Sequence, residues 1–139
     1  MREELDKQLC EKYPKIFVNR NGDMKETCMY WGFSCGDGWY DLIDELCGTA
    51  QNYIDNNSTK TNPIPQLVAE QVKEKFGTLR FYTSGGDRLI DGMIWLAESM
   101  SGRLCDQCGS PGTTNRTGWL MTRCDVHKPK KENDESSTL

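Results

Sequence analysis

An α+β fold is what this sequence predicts: a small antiparallel sheet packed by two amphipathic helices, with a short ribbon-like or treble-clef-like module at its C-terminal end. Three observations carry that expectation. Apolar residues recur at helical spacing over 39–54 and again over 90–100. Between these segments a β-prone run turns at Gly77-Thr78 and returns, as a hairpin does. After the second helix come two short steps, Cys105-Asp106-Gln107-Cys108 and Cys124-Asp125-Val126-His127, with fifteen residues between them.

The first helix is expected over 2–13, with Leu5, Leu9 and Tyr13 at four-residue steps and Pro14 stopping it. Lys15 to Arg20 reads as a short strand, followed by a turn at Asn21-Gly22-Asp23. Residues 27–34 read as another strand, because Met29, Trp31 and Phe33 alternate. Cys35-Gly36-Asp37-Gly38-Trp39 then opens the most strongly periodic helix, in which Trp39, Leu42, Ile43, Leu46, Cys47, Ala50, Tyr53 and Ile54 share a face. Asn56 and Asn57 end it, and a polar, proline-bearing loop occupies 57–66. The hairpin runs from Val68 to Phe76 and back from Leu79 to Thr83. Ser84-Gly85-Gly86 breaks it, and Asp87 caps a helix reaching Ser101, whose buried stripe is Ile90, Met93, Ile94, Ala97 and Met100. Three units follow: an α+β body over 1–101, a docked module over 102–127, and a disordered tail over 128–139.

The two Cys/His steps have metal-ligand spacing. Each is long enough to turn the backbone around one ion, and a hairpin between them sets the second pair opposite the first. Three thiolates from Cys105, Cys108 and Cys124 and the imidazole of His127, the chain's one histidine, make a complete tetrahedral shell for Zn2+. Such a shell leaves no position for a reacting water, so the zinc is structural. Disulfide pairing and chance are the alternatives. Gly109 follows the first step, where a tight knuckle turns amides towards a thiolate. Cys10, Cys28, Cys35 and Cys47 are left over and read as buried free thiols.

Composition narrows the class. The net charge is −4 in 139 residues, and it sits in the first part: residues 1–60 carry eleven acids and seven bases, whereas 61–139 carry ten of each. That balance is poor for coating duplex DNA, though it leaves room for a local basic pocket. No apolar run is long enough for a membrane span, and the charged start lacks a signal-peptide core. Seven cysteines without such a signal fit a reducing cytoplasm.

The hairpin carries the sharpest functional signal. With a Gly77-Thr78 turn, Lys75 faces Arg80 and Lys73 faces Tyr82, and all four share a face opposite Val72, Phe76, Leu79 and Phe81. Like charges directly opposite cost a sheet up to about 1 kcal/mol. Either nearby acids such as Glu70 compensate them, or the face is an anion cradle with Tyr82 as a wall. Glu74, on the apolar face, needs a partner. Trp31 and Trp39 flank a glycine-rich helix entrance where amides bind anions and aromatics stack bases; core packing is the competing reading for both. Asp37 reads as an N-cap before a catalytic acid, and Gly85-Gly86-Asp87 as a helix entrance before a phosphate loop. With His127 committed to metal, the commonest general base is gone, and Asp37, Asp41, Glu45, Asp91 and Glu98 fit exposed helix faces as well as a catalytic role. A non-enzymatic binder is the expectation, and the enzymatic alternative, a nuclease or phosphodiesterase, requires clustered carboxylates and a second metal.

Three segments, Cys35-Gly36-Asp37-Gly38-Trp39-Tyr40-Asp41-Leu42-Ile43, Gln71-Val72-Lys73-Glu74-Lys75-Phe76-Gly77-Thr78-Leu79-Arg80-Phe81-Tyr82, and Ala97-Glu98-Ser99 leading to Cys105-Asp106-Gln107-Cys108-Gly109, together resemble a group of small phage- and prophage-encoded proteins. The resemblance spans about residues 10–127 and implies a viral accessory protein in the host cytoplasm. It carries over no activity and no site residue. Small phage accessory proteins often counter host defence, some by sequestering cyclic-nucleotide signals, and a Lys/Arg/Tyr/Trp pocket suits that role by analogy. The expected partner is therefore a small anionic ligand. A zinc-stapled adaptor for a host protein or nucleic acid is the alternative, and a homo-oligomer is compatible with either.

Overall fold

The structure, a computed structural model, describes residues 1–129. Helix α1 (Glu3–Lys12) has Glu3, Glu4 and Asp6 in its first turn and Lys12 in its last, the charge order that favours the helix dipole. It is latched to α2 (Tyr40–Asn57), where Asp44 accepts from Lys12 Nζ at 2.9 Å and from the Tyr13 hydroxyl at 2.5 Å. Ile43, Leu46, Cys47, Ala50 and Ile54 of α2 are buried, as the helical spacing requires, while Leu42 is half-buried.

The sheet has three strands in the order β1 (Phe33–Ser34), β2 (Val68–Lys75), β3 (Thr78–Ser84). β2 and β3 form the expected antiparallel hairpin, but β1 lies parallel to β2, with Phe33 beside Val72 and Ser34 beside Lys73. The sheet is therefore mixed, not wholly antiparallel. Parallel neighbours need a long crossover, and α2 is that crossover. Helix α3 (Arg88–Ser101) covers the apolar face of β3 and packs on α2. Asp87 caps it, its carboxylate accepting from Ile90 N at 3.1 Å. Its buried line is Ile90, Ile94, Ala97 and Ser101; Met93 is half-buried and Met100 exposed, a small rotation from the expected stripe.

The outer edge of β3 is closed by side chains of α3. Ser101 Oγ accepts from Leu79 N at 2.8 Å, and Glu98 Oε2 accepts from Phe81 N at 3.0 Å. Unpaired edge amides are thereby satisfied without a fourth strand. The last elements, β4 (Thr113–Thr114) and β5 (Thr122–Arg123), pair antiparallel inside the C-terminal module.

Three local expectations are corrected. Residues 15–20 form turns, with Phe17 N donating to Tyr13 O and Arg20 N to Phe17 O; Ile16 and Phe17 are both buried, which a surface strand with alternating sides cannot arrange. Cys28–Trp31 is a 3-10 turn, initiated by Thr27 Oγ1 accepting from Met29 N at 3.1 Å. The hairpin loop is Phe76-Gly77, one position earlier than Gly77-Thr78, with positive φ at both residues (55° and 88°). A two-residue loop of that handedness matches strand twist. Of the expected tail at 128–139, residues 130–139 lie outside the described residues. Among the described residues no helix is long and apolar enough to cross a membrane.

Candidate metal centre and basic sheet face

The C-terminal module is seated on the entrance to α2 with no clearance. Gly38 N donates to Asp106 O at 2.9 Å, and Trp39 Nε1 donates to Leu104 O at 2.9 Å. A Cβ at Gly36 would lie 1.9 Å from Asp106 O, and one at Gly38 would lie 2.1 Å from Cys105 O. The glycines therefore serve close backbone approach. This corrects two expectations at once: the Gly38 amide is committed to the module instead of an anion, and Trp39, fully buried, is a core residue without a ligand-facing surface. Asp37 caps no helix; its carboxylate accepts from Arg2 N at 2.7 Å.

Cys105, Cys108, Cys124 and His127 converge, with one ligand atom from each within 4.8 Å of all the others. Two knuckles place them. In the first, Gly109, at φ 78°, donates its N–H to Cys105 O at 2.8 Å. In the second, His127 N and Lys128 N both donate to Cys124 O, at 3.1 and 3.0 Å. The sulfurs of Cys108 and Cys124 are 3.7 Å apart, and His127 Nδ1 lies 3.6 Å from Cys105 Sγ and 3.2 Å from Cys124 Sγ. A tetrahedral ion with bonds of about 2.3 Å to sulfur and about 2.0 Å to nitrogen sets its donors about 3.8 and about 3.5 Å apart. The four residues can hold a metal ion, and this donor set and spacing are consistent with zinc.

The local electrostatics favour thiolates at Cys105 and Cys108 but not at Cys124. The Ser110 hydroxyl and N–H bring Cys108 down to about 7. Burial works against ionising Cys105, but N–H groups of Cys124, Gln107 and Cys108 outweigh it and lower its pKa. Cys124 is held up by desolvation and by its two thiol neighbours, so ion binding there releases a proton. Outside this shell, the nearly buried Asp106 accepts from Arg123 Nε at 3.1 Å and Gln107 Nε2 at 3.1 Å. That pair ties the first knuckle to the strand entering the second. Sequence reasoning passed over it; the signal was a charged residue inside each arm of the module.

Thr122 provides the other tie. It is fully buried, and its Oγ1 donates to Gly77 O at 2.6 Å, joining the module to the hairpin turn. The four remaining cysteines are less uniform than expected: Cys47 is buried, Cys10 and Cys35 are half-buried, and Cys28 is exposed. Burial pushes Cys10 and Cys35 up to about 12, with Asp6 adding to the effect at Cys10.

On the hairpin, Lys73 pairs with Arg80, Lys75 with Thr78 and Gln71 with Tyr82. The cross-strand partners are therefore shifted from those expected, but face membership is preserved except at Phe76, expected on the core side and instead exposed in the loop. Lys73, Lys75, Arg80 and Tyr82 lie on the side opposite the buried Val72, Leu79 and Phe81. Among the described residues none of the three cations forms an ion pair. The nearby acids are otherwise engaged: Glu70 accepts from Ser84 Oγ at 2.7 Å, and Glu74 accepts from Gly77 N at 2.7 Å. No single cavity gathers the four residues. Lys75 borders a cleft with Phe76 and Trp119, and Tyr82 borders another with Arg88 and Trp95. Trp31, 68% exposed, packs edge-on against Tyr30 at 5.1 Å and joins neither cleft.

No family model, curated protein or solved structure matches the chain.

Proposed function

We propose that the chain is a non-enzymatic binding protein, stapled by one structural zinc ion, that captures an anionic ligand on the basic face of its hairpin. The carrying observation is Lys73 directly opposite Arg80, flanked by Lys75 and Tyr82, with no carboxylate among the described residues paired to any of the cations. A sheet built for stability alone avoids opposed like charges, and a bound anion offsets them. Zinc fits the four-donor shell, which has no open position for catalysis. The phage resemblance makes a nucleotide signal of host defence, captured in the cytoplasm, the ligand class of this proposal.

Charge-assisted hydrogen bonds are worth about 1.5–3 kcal/mol each. Arg80→Ala should therefore weaken the ligand roughly 10- to 150-fold, at about 1.4 kcal/mol per decade. Calorimetry against linear and cyclic nucleotides, with wild type and Arg80→Ala, tests this; no binding to any of them by wild type sinks the reading. Native mass spectrometry of protein purified from infected cells reports zinc, ligand and stoichiometry together. The adaptor reading is favoured by a different observation. Leu96 and Met100 are exposed on α3 and line an apolar groove with Leu42, Leu46 and Met93, a surface of the kind a protein partner covers.

A further inference from the structure

We propose that the cleft between the hairpin tip and the loop 118–120 is a nucleobase site, so that the ligand of the basic face is a nucleic-acid fragment carrying a base and at least two phosphates. This inference rests on the basic-face reading and specifies its ligand. The cleft, about 430 Å³, is lined by Glu74, Lys75, Phe76, Gly118, Trp119 and Leu120. It holds two large aromatic rings from different elements. Phe76 is 66% exposed and Trp119 80% exposed, and among the described residues neither ring pairs with another aromatic.

The backbone adds an independent observation. Phe76 sits at φ 55° in the hairpin loop, a left-handed conformation that is unfavourable for a bulky side chain and comfortable for Asn or Gly. Strain of this sort persists where the residue has a task at the site. Here it holds an apolar ring in water at the mouth of the cleft. Lys75 Nζ stands over one face of that ring, 5.6 Å from its centre, so a cation sits directly beside the aromatic surface and the other face remains for a base.

Charge then continues out of the cleft in one direction. Lys73 lies two residues along the same strand face, about 6.7 Å further on, with Arg80 opposite it. Cations arranged in line, instead of converging on a point, follow successive phosphates. A base stacked against Phe76 and Trp119 would leave its own phosphate at Lys75 and the next at the Lys73–Arg80 pair. Glu74 is the one acid in the lining, and its carboxylate is engaged by the Gly77 amide. Aromatic platforms beside a basic track are the recurrent solution for single strands.

The test uses the full zinc-loaded chain and four probes: oligothymidylate, an abasic oligomer of the same length, thymidine monophosphate and a cyclic dinucleotide. Trp119→Ala removes one ring; Phe76→Asn removes the other while suiting the loop conformation, so neither change threatens the fold. Each should weaken oligothymidylate roughly 5- to 150-fold, the worth of one stacked base, and leave the abasic oligomer unaffected. Arg80→Ala should weaken both oligomers. Tight binding of the cyclic dinucleotide alone, with the same ring dependence, supports the site and makes its ligand a signalling molecule instead of a strand. Equal binding of abasic and thymidylate oligomers by wild type overturns the base site while leaving the basic face standing. Monophosphate binding as tight as the oligomer's overturns the requirement for two phosphates, and no binding of any probe overturns both readings.

Discussion

Replacing Ser101 with Ala probes how the sheet edge is closed. Ser101 is fully buried, donating to Glu98 O at 2.5 Å and accepting from Leu79 N at 2.8 Å. The substitution removes one oxygen and little volume, so the cavity cost is small. What remains is the Leu79 amide, in a fully buried residue on an edge strand, without an acceptor. An orphaned buried donor costs about 1–3 kcal/mol, against a total stability of about 5–15 kcal/mol for a domain. With a urea dependence of about 1–3 kcal/mol per molar, the unfolding midpoint should fall by roughly 1 M at unchanged slope. Ser99→Ala, on the exposed side of the same helix turn, is the control and should move the midpoint little. Hydrogen exchange should show the Leu79 amide losing protection in Ser101→Ala before its neighbours across β2 do. A midpoint indistinguishable from the Ser99→Ala control would mean that Leu79 N finds water, and that α3 does not close this edge.

Cys108→Ser should abolish stoichiometric zinc and loosen 102–129 while sparing α2, read by elemental analysis and by exchange of the module's amides; freshly purified wild type without zinc refutes the proposed metal. Leu46→Ala should cost roughly 2–5 kcal/mol through lost transfer energy and a cavity, and a change below about 0.5 kcal/mol would place that α2 face in solvent. Asp44 is pulled below the usual carboxylate range: desolvation opposes this, but the hydrogen bonds from Tyr13 and Lys12 prevail. Its folded pKa is depressed, so its contribution is present above the unfolded value of about 3.9 and is lost as pH falls through the folded value. Asp44→Asn should therefore destabilise at neutral pH and flatten the loss of stability below about pH 4, followed by thermal melts across that range.

What the sequence disclosed depended on how local each determinant is. The Cys/His cluster was legible because two short steps and a lone histidine encode it within 105–127. The buried face of α2 was legible from its spacing alone. The hairpin loop was misplaced because a phenylalanine at positive φ contradicts local preference, yet the face assignment of the strand residues survived, since the real partners differ from the expected ones by two residues and side chains alternate with period two. The 3-10 turn at Cys28–Trp31 was hidden because apolar residues at 29, 31 and 33 also satisfy a strand pattern. The parallel pairing of β1 with β2, and the close contact of Gly36 and Gly38 with the Cys105 and Asp106 carbonyls, depend on residues far apart in the chain. No local window reports them. The same holds for the Phe76–Trp119 cleft, whose two walls come from separate elements.

The bond from Trp39 Nε1 to Leu104 O spans 65 residues, and it has a consequence during synthesis. Chains emerge at about 5–20 residues per second, so on the order of 3–13 s pass on the ribosome between these two residues. For that interval the largest side chain of the core has its nitrogen unanswered, and the glycine entrance of α2 lies open where the knuckle will sit. The body therefore waits, with an uncovered indole, for its last segment to arrive. With zinc bound as proposed, metal supply would time the seating of 102–129, and a nascent chain starved of it would present that uncovered surface to chaperones and proteases.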